Sequence, residues 1–245
     1  MHTVILNLSH ELSMRREALP GLKAGQGRAR LLHQISSHER MLAIALLLAE
    51  ADTEGFFRHL AMSGEAHKQL LLEVRDVGQV VRFAASGNVH PFCDALVAGH
   101  EPLAREIANL SPGQWMPGEE YEEDFVYGRF LHFLLLDGFR VSARQEALLA
   151  RMAELDEEPD ARQRLCRALF ERDASAFETS LADASRAHEQ HCEELEARRF
   201  SPSAEGQTER YVFIEGLALL RMAEAVGIRT EPEHRLMPSL ARWKG

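Results

Sequence analysis

Hydrophobic residues along this chain recur at intervals of three and four positions, and strict alternation of hydrophobic and polar residues is nearly absent. Intervals of three and four place side chains on one face of an α-helix, whereas alternation is typical of β-strands. The pattern therefore predicts an all-α protein, a single domain of about ten helices over residues 1–245. The predicted helices span residues 28–51, 54–62, 65–86, 91–98, 101–110, 119–136, 142–154, 160–172, 174–198, 207–226 and 234–242.

Two segments, Leu48–Gln69 and Leu169–Gln190, resemble each other at an offset of 121 residues and are identical at nine of 22 positions. The offset is close to half the chain length. The repeat therefore predicts two similar helical halves, about 28–116 and 117–242, that meet near residues 111–118 and share one core.

The spacing of the matched residues supports the repeat. Phe56 corresponds to Phe177, and each lies on the apolar stripe of its predicted helix. The matched residue pair Asp52 and Asp173 falls where one helix ends and the next needs a side chain to cap its first amides. We expect the two halves to superpose with these residues in equivalent places.

Composition and charge narrow the range of functions. Acidic residues number 38 and basic residues 28, which gives a formal net charge of −10 and argues against binding to nucleic acid or to anionic membranes. Three widely separated cysteines indicate a reducing compartment without a disulfide framework. The N-terminal stretch lacks the features of a signal peptide, and the longest apolar run, residues 41–49, is too short to span a membrane. We expect a cytoplasmic protein.

The best candidate metal ligands are His188 and His191, which share a helix face with acidic neighbours. Zinc-protease helices space their histidines by four residues, whereas these two are three apart. His188 also lies on an apolar stripe and has a counterpart in His67. A buried structural histidine is therefore favoured over a ligand, since a metal site needs several converging ligands.

Other catalytic patterns are incomplete. The Glu-x-x-His spacing of Glu231 and His234 occurs once, whereas di-iron bundles need it twice. The Gly25-Gln26-Gly27 stretch follows no predicted strand and lacks a phosphate-binding lysine. No nucleophile elbow and no Cys-x-x-Cys pair is present. We expect no catalytic residue, no metal and no cofactor.

Two acidic clusters are the strongest candidates for a binding surface. Taken singly, each is also typical of a solvated helix start or an exposed loop. Placed together, they would attract a basic partner and accelerate its encounter. Tyr121 and Phe125, beside the first cluster, are predicted to belong to the buried stripe of the following helix. The candidate binding residues are Glu119, Glu120, Glu122, Glu123 and Asp124 in the first cluster and Asp156, Glu157 and Glu158 in the second.

Two stretches carry a family resemblance: EYEEDFVYGRFLHFLLLDG (Glu120–Gly138) and ERYVFIEGLALLRMAEAVGIRTEPEHRLMPSL (Glu209–Leu240). They resemble the acidic-aromatic middle helix and the closing segment of the all-helical immunity 49 family of bacterial polymorphic toxin systems. The resemblance implies a non-enzymatic antitoxin that blocks a toxin delivered by a neighbouring cell, often through type VI or related secretion. Such families have no universal inhibitory motif, so the resemblance assigns no binding residue.

These observations favour an immunity protein whose toxin acts in the cytoplasm, where nucleic acid and nucleotides are accessible targets. A nuclease has a basic substrate groove that an acidic protein can plug. Two other functions stay open. One is a helical-repeat adaptor in an unrelated complex, which a toxin gene beside this one would argue against. The other is a helical metalloenzyme that uses His188 and His191, which metal analysis would test.

Overall fold

Eleven α-helices and three short 3-10 helices make up the fold in a computed structural model, which describes residues 1–78, 81–156 and 158–243. Within these residues the β-type pairing is limited to two isolated bridges, which confirms the predicted all-α class. The α-helices are α1 (His2–Ala18), α2 (Gln26–Glu50), α3 (Thr53–Val77), α4 (His90–Val97), α5 (Glu101–Leu110), α6 (Glu122–Leu136), α7 (Ala143–Leu155), α8 (Ala161–Glu171), α9 (Ala174–Ala197), α10 (Ala204–Thr208) and α11 (Ile214–Val226). The 3-10 helices are Leu19–Gly21, Arg82–Ala84 and Ser239–Ala241.

The two predicted capping residues begin helices α3 and α9. The Asp52 carboxylate accepts a hydrogen bond from the Gly55 amide at 2.8 Å, and the Asp173 carboxylate accepts one from the Ala176 amide at 3.0 Å. The matched phenylalanines on these helices are both fully buried. The two segments thus share a local design, and the superposition of the two halves stays a prediction.

Helix α3 runs without interruption through the break predicted near residue 63, so that break is wrong. A Cβ on Gly64 would lie 2.9 Å from a Leu103 methyl and 3.2 Å from Ala95. The glycine therefore allows close packing of α3 against α4 and α5 rather than ending the helix.

Four other points of the helix prediction need correction. The predicted helix 65–86 is too long, because α3 ends at Val77 and Gly78 follows it with a φ of 63°. The predicted helix 207–226 is two helices, α10 and α11, because the Phe213 amide between them bonds the Leu236 carbonyl at 2.8 Å. The predicted helix 234–242 is a turn followed by a 3-10 helix, since Leu236 has a φ of 62° and Pro238 lacks an amide donor. Helix α1 lies outside every predicted helix.

The core has two parts. The main cluster is formed by residues from each helix from α2 through α9 and from α11, and its largest fully buried side chains are Phe56, Phe92, Phe130 and Phe177. A smaller cluster seats the α1 residues Val4, Leu8 and Leu12 on α2. No helix in the described ranges is long and apolar enough to cross a membrane.

Gly128 in α6 sets the distance between that helix and the backbone at Ser86. A Cβ there would lie 2.1 Å from the Ser86 carbonyl oxygen. Because this oxygen belongs to the backbone, the clash cannot be relieved by the rotation of a side chain. We expect Gly128→Ala to lower the free energy of unfolding by about 1–3 kcal/mol in urea denaturation. Gly27→Ala is the matched control, because a Cβ at that exposed helical glycine meets nothing within 4 Å. Equal stability of the two variants would contradict the close approach.

Three histidines on α2, α3 and α6, of which His67 and His132 are fully buried and His33 is partly buried, are held in the neutral form. Burial lowers the pKa of His33 to about 4 and the pKa values of His67 and His132 to about 3. Both ring nitrogens of His132 are buried without a hydrogen-bond partner among the described residues, and the ring packs edge-on against Phe92. Charging this ring inside the fold is therefore unfavourable.

Acidification should destabilise the protein through these groups. An unfolded histidine titrates near pH 6.5, so below that pH the unfolded chain binds protons that the folded chain does not. The contribution of these histidines to the free energy of unfolding is fully present above about pH 6.5 and is lost as the pH falls towards their pKa values in the folded state. We expect His132→Leu to remove about 2 kcal/mol of the stability difference between pH 7 and pH 5, measured by denaturation at both pH values. His10→Leu, at an exposed position, is the control. An unchanged pH dependence in His132→Leu would contradict a neutral buried imidazole.

Candidate functional site

The structure brings the two predicted acidic clusters together. A small cavity of about 60 Å³ is lined by Glu123 and Asp124 at the start of α6 and by Asp156 and Asp160 in the connection from α7 to α8. Glu157, a candidate of the second cluster, lies outside the described residues. We refer to the surface formed by Glu119, Glu122, Glu123, Asp124, Asp156 and Glu158 as the acidic face.

Three carboxylates at alternate positions, before and in the first turn of α6, are bound by backbone amides or by arginines. Glu120 accepts hydrogen bonds from the amides of Gly87, at 2.8 Å, and Met116, at 3.3 Å. Its partial burial raises its pKa. Glu122 pairs with Arg151 at 2.8 Å, and Asp124 pairs with Arg162 at 3.2 Å. These three carboxylates of the first cluster therefore stabilise the local fold.

The remaining carboxylates of the acidic face are exposed. Glu119 precedes the first anchored carboxylate, Glu123 lies between two anchored ones, and Asp156 and Glu158 lie in the loop before α8. No ion-pair partner for these four is found in the part of the chain that the structure describes. They are the side chains whose negative charge is available to a partner.

An adjoining groove of about 830 Å³ presents aromatic side chains beside these carboxylates. Tyr121 is 78% exposed and Trp115 is 39% exposed. We refer to this depression as the aromatic groove. Its lining includes His33, Arg82, Phe83, Gly87, Trp115, Glu119, Tyr121, Glu122 and Glu123.

The expected burial of Tyr121 is wrong, whereas Phe125 packs partly buried against the main core. Tyr121 occupies the capping position of α6 with extended backbone, at φ −74° and ψ 146°. Its side chain therefore precedes the first helical turn and does not share the buried stripe.

The acidic face is tied to the interior through Arg162. Besides Asp124, its guanidinium binds Glu215 on α11 through contacts of 3.0 and 2.8 Å, and the Tyr127 hydroxyl donates to Glu215 at 2.8 Å. Burial alone would raise the pKa of Glu215, but the neighbouring guanidinium keeps it below its ordinary value. The pair thus holds α6, α8 and α11 in one arrangement.

A second buried ion pair joins α2 to α4. The Arg40 guanidinium contacts both carboxylate oxygens of Asp94 at 2.8–3.0 Å, and the Ser63 hydroxyl donates to the same carboxylate at 2.6 Å. Arg40 also donates to Nδ1 of His90 at 3.0 Å, and its guanidinium lies 3.6 Å from Glu209. Sequence reasoning missed both pairs because their partners are 54 and 53 residues apart, where no local spacing signals a contact.

Two of the candidate metal ligands, His188 and His234, have contacts within the fold, whereas His191 is exposed. The His188 ring stacks on Phe213 with centroids 4.5 Å apart, and its Nε2 lies 2.8 Å from the Glu209 carbonyl oxygen. Burial lowers the pKa of His188. His234 lies 2.8 Å from Glu178 through Nε2. Within the described ranges, no three histidine, cysteine or acidic side chains are grouped as a metal site would require.

Comparison with protein-family models gives a match over most of the chain. The family model described as Immunity protein 49 matches residues 32–241 of the chain. No curated protein and no solved structure matches it. The matched span begins within α2 and includes the acidic face, the aromatic groove and both buried ion pairs, while α1 lies before it.

Proposed function

Because the chain belongs to the immunity protein 49 family, we propose that it binds a cognate toxin and neutralises it as a stoichiometric inhibitor, without catalysing a reaction. The family match over residues 32–241 carries this proposal.

We infer further that the toxin acts in the cytoplasm on nucleic acid. A nuclease binds its polyanionic substrate through a basic groove, where cationic side chains contact phosphates. An acidic protein surface can occupy such a groove and accelerate association. The net charge of −10 and the four exposed carboxylates of the acidic face support this pairing.

The test is co-expression with the product of a toxin gene that neighbours this one. We expect the two proteins to co-purify in equimolar amounts and the immunity protein to restore growth of cells that express the toxin. Purified toxin should degrade RNA or DNA and lose that activity on addition of one equivalent of this protein. Failure both to co-purify and to restore growth would overturn the antitoxin proposal. Protection against a toxin that leaves nucleic acid intact would overturn only the inference about its target.

A further inference from the structure

We propose that the aromatic groove binds an arginine-bearing segment of the toxin, with a guanidinium stacked on Tyr121 or Trp115 and paired with Glu119 or Glu123. The groove assignment rests on the proposed function for the identity of the partner, a toxin.

The exposed aromatic rings are the first observation. Exposed aromatic surface is unfavourable in water, and tyrosine and tryptophan are enriched among residues that dominate binding energies. The Trp115 indole N–H donates to the Glu120 carbonyl at 3.1 Å, which fixes the ring at the groove. Tyr121, by contrast with the buried Tyr127, has no hydroxyl partner among the described residues. The Tyr121 ring therefore lies exposed in the lining of the groove, where a partner can contact it.

The distribution of charge is the second observation. Glu119 and Glu123 line the same groove as these rings and have no ion-pair partner in the described part of the chain. Arg82, the cation of the groove, lies over the Phe83 ring at 5.4 Å. The surface around Tyr121 is thus aromatic and negative, which favours a cation.

Arginine fits this surface better than lysine. A guanidinium is planar, stacks on aromatic faces and donates two parallel hydrogen bonds to a carboxylate. A lysine ammonium is more strongly hydrated and cannot stack in the same way. The groove of about 830 Å³ is larger than one side chain needs, so it accommodates the extended backbone on either side of the arginine.

The groove walls are formed before any partner binds. Glu120 joins the loop containing Gly87 to the loop containing Met116, and Arg151 holds Glu122. A preformed wall lowers the ordering cost of binding. Because Glu119 and Glu123 line these walls without an ion-pair partner among the described residues, the segment that enters supplies the matching cation.

Fluorescence of Trp115 tests the assignment on the immunity protein alone. The chain has two tryptophans, so Trp243→Phe leaves Trp115 as the sole reporter, with folding checked by circular dichroism. Titration at about 0.05 M salt would use three ten-residue peptides of alternating glycine with arginine, lysine or glutamate. We expect saturable quenching by the arginine peptide, with affinity about fivefold or more above that of the lysine peptide, and no response to the glutamate peptide.

Variants define which side chains bind. Tyr121→Ala and the pair Glu119→Gln with Glu123→Gln should each weaken arginine-peptide binding about 5- to 20-fold. Tyr211→Ala, at another exposed tyrosine, and Glu50→Gln with Glu54→Gln, at exposed positions distant from the groove, are controls that should bind like the parent. Equal affinity for lysine and arginine peptides, or unchanged binding by Tyr121→Ala, would overturn the groove assignment.

The toxin complex provides the second measurement. Tyr121→Ala should weaken toxin binding about 10-fold or more in calorimetry, and Tyr211→Ala should not. An unchanged toxin affinity in Tyr121→Ala would overturn the groove as a toxin contact even where the peptide binds. Absence of any toxin complex with the unmodified protein would instead overturn the proposed function, so the two failures are distinguishable.

Discussion

Replacement of Arg40 by methionine is expected to lower the free energy of unfolding by about 3–5 kcal/mol. Asp94 has no exposed surface, and without the guanidinium its carboxylate keeps only the Ser63 hydroxyl as a close donor. A buried charge without a counter-ion is unfavourable because it has lost its hydration. Denaturation in guanidinium chloride should show a lower midpoint with an unchanged slope.

Two further variants isolate the cause of that loss. Adding Asp94→Asn to Arg40→Met should recover part of the stability, since the remaining side chain is neutral and still accepts from Ser63. Arg30→Met, at an exposed position on the same helix, should change stability by less than about 0.5 kcal/mol. A loss below about 1 kcal/mol in Arg40→Met would show that Asp94 does not depend on its ion pair.

Charge reversal on the acidic face is expected to slow toxin association about 10- to 100-fold at low salt. The pair Glu119→Lys with Glu123→Lys replaces two exposed carboxylates and leaves the anchored Glu120 in place. Exposed charges act over about 10 Å at 0.1 M salt, so the defect should shrink as salt rises. Dissociation should change less than association, because apolar contacts hold the formed complex. Stopped-flow mixing at two salt concentrations measures both rates.

Two matched reversals locate the effect. Glu50→Lys with Glu54→Lys makes the same change of charge where α2 ends and α3 begins, about 25 Å along α2 from His33 in the groove. It should associate like the parent. If Asp156→Lys with Glu158→Lys slows association and the first pair does not, the toxin contacts the α7–α8 connection. Normal rates in all three variants would refute electrostatic steering.

Local features of the fold were predictable because they depend on neighbouring residues. Helical periodicity predicted most of the elements, and the aspartates Asp52 and Asp173 were identified as caps from the demand for acceptors at a helix start. The acidic clusters were equally visible as runs of one charge.

Contacts between distant parts of the chain were not predictable in the same way. Gly64 resembles a helix break in sequence, and only the neighbouring Leu103 and Ala95 explain why the helix continues. Tyr121 has the spacing of a core residue, yet its backbone is still extended at that point. The ion pair of Arg40 with Asp94 depends on how α2 meets α4, and the meeting of the acidic clusters depends on how α6 meets the α7–α8 connection.

The residues from Glu119 to Asp124 divide two tasks between alternate positions. Glu120, Glu122 and Asp124 are bound by backbone amides or arginines, whereas Glu119, Tyr121 and Glu123 are exposed. Exposed positions without folding contacts tolerate substitution with stability changes within about 0.5 kcal/mol. Recognition of a new toxin can therefore evolve by substitutions at the three exposed positions while the other three preserve the fold. Each step of such a change leaves a folded protein.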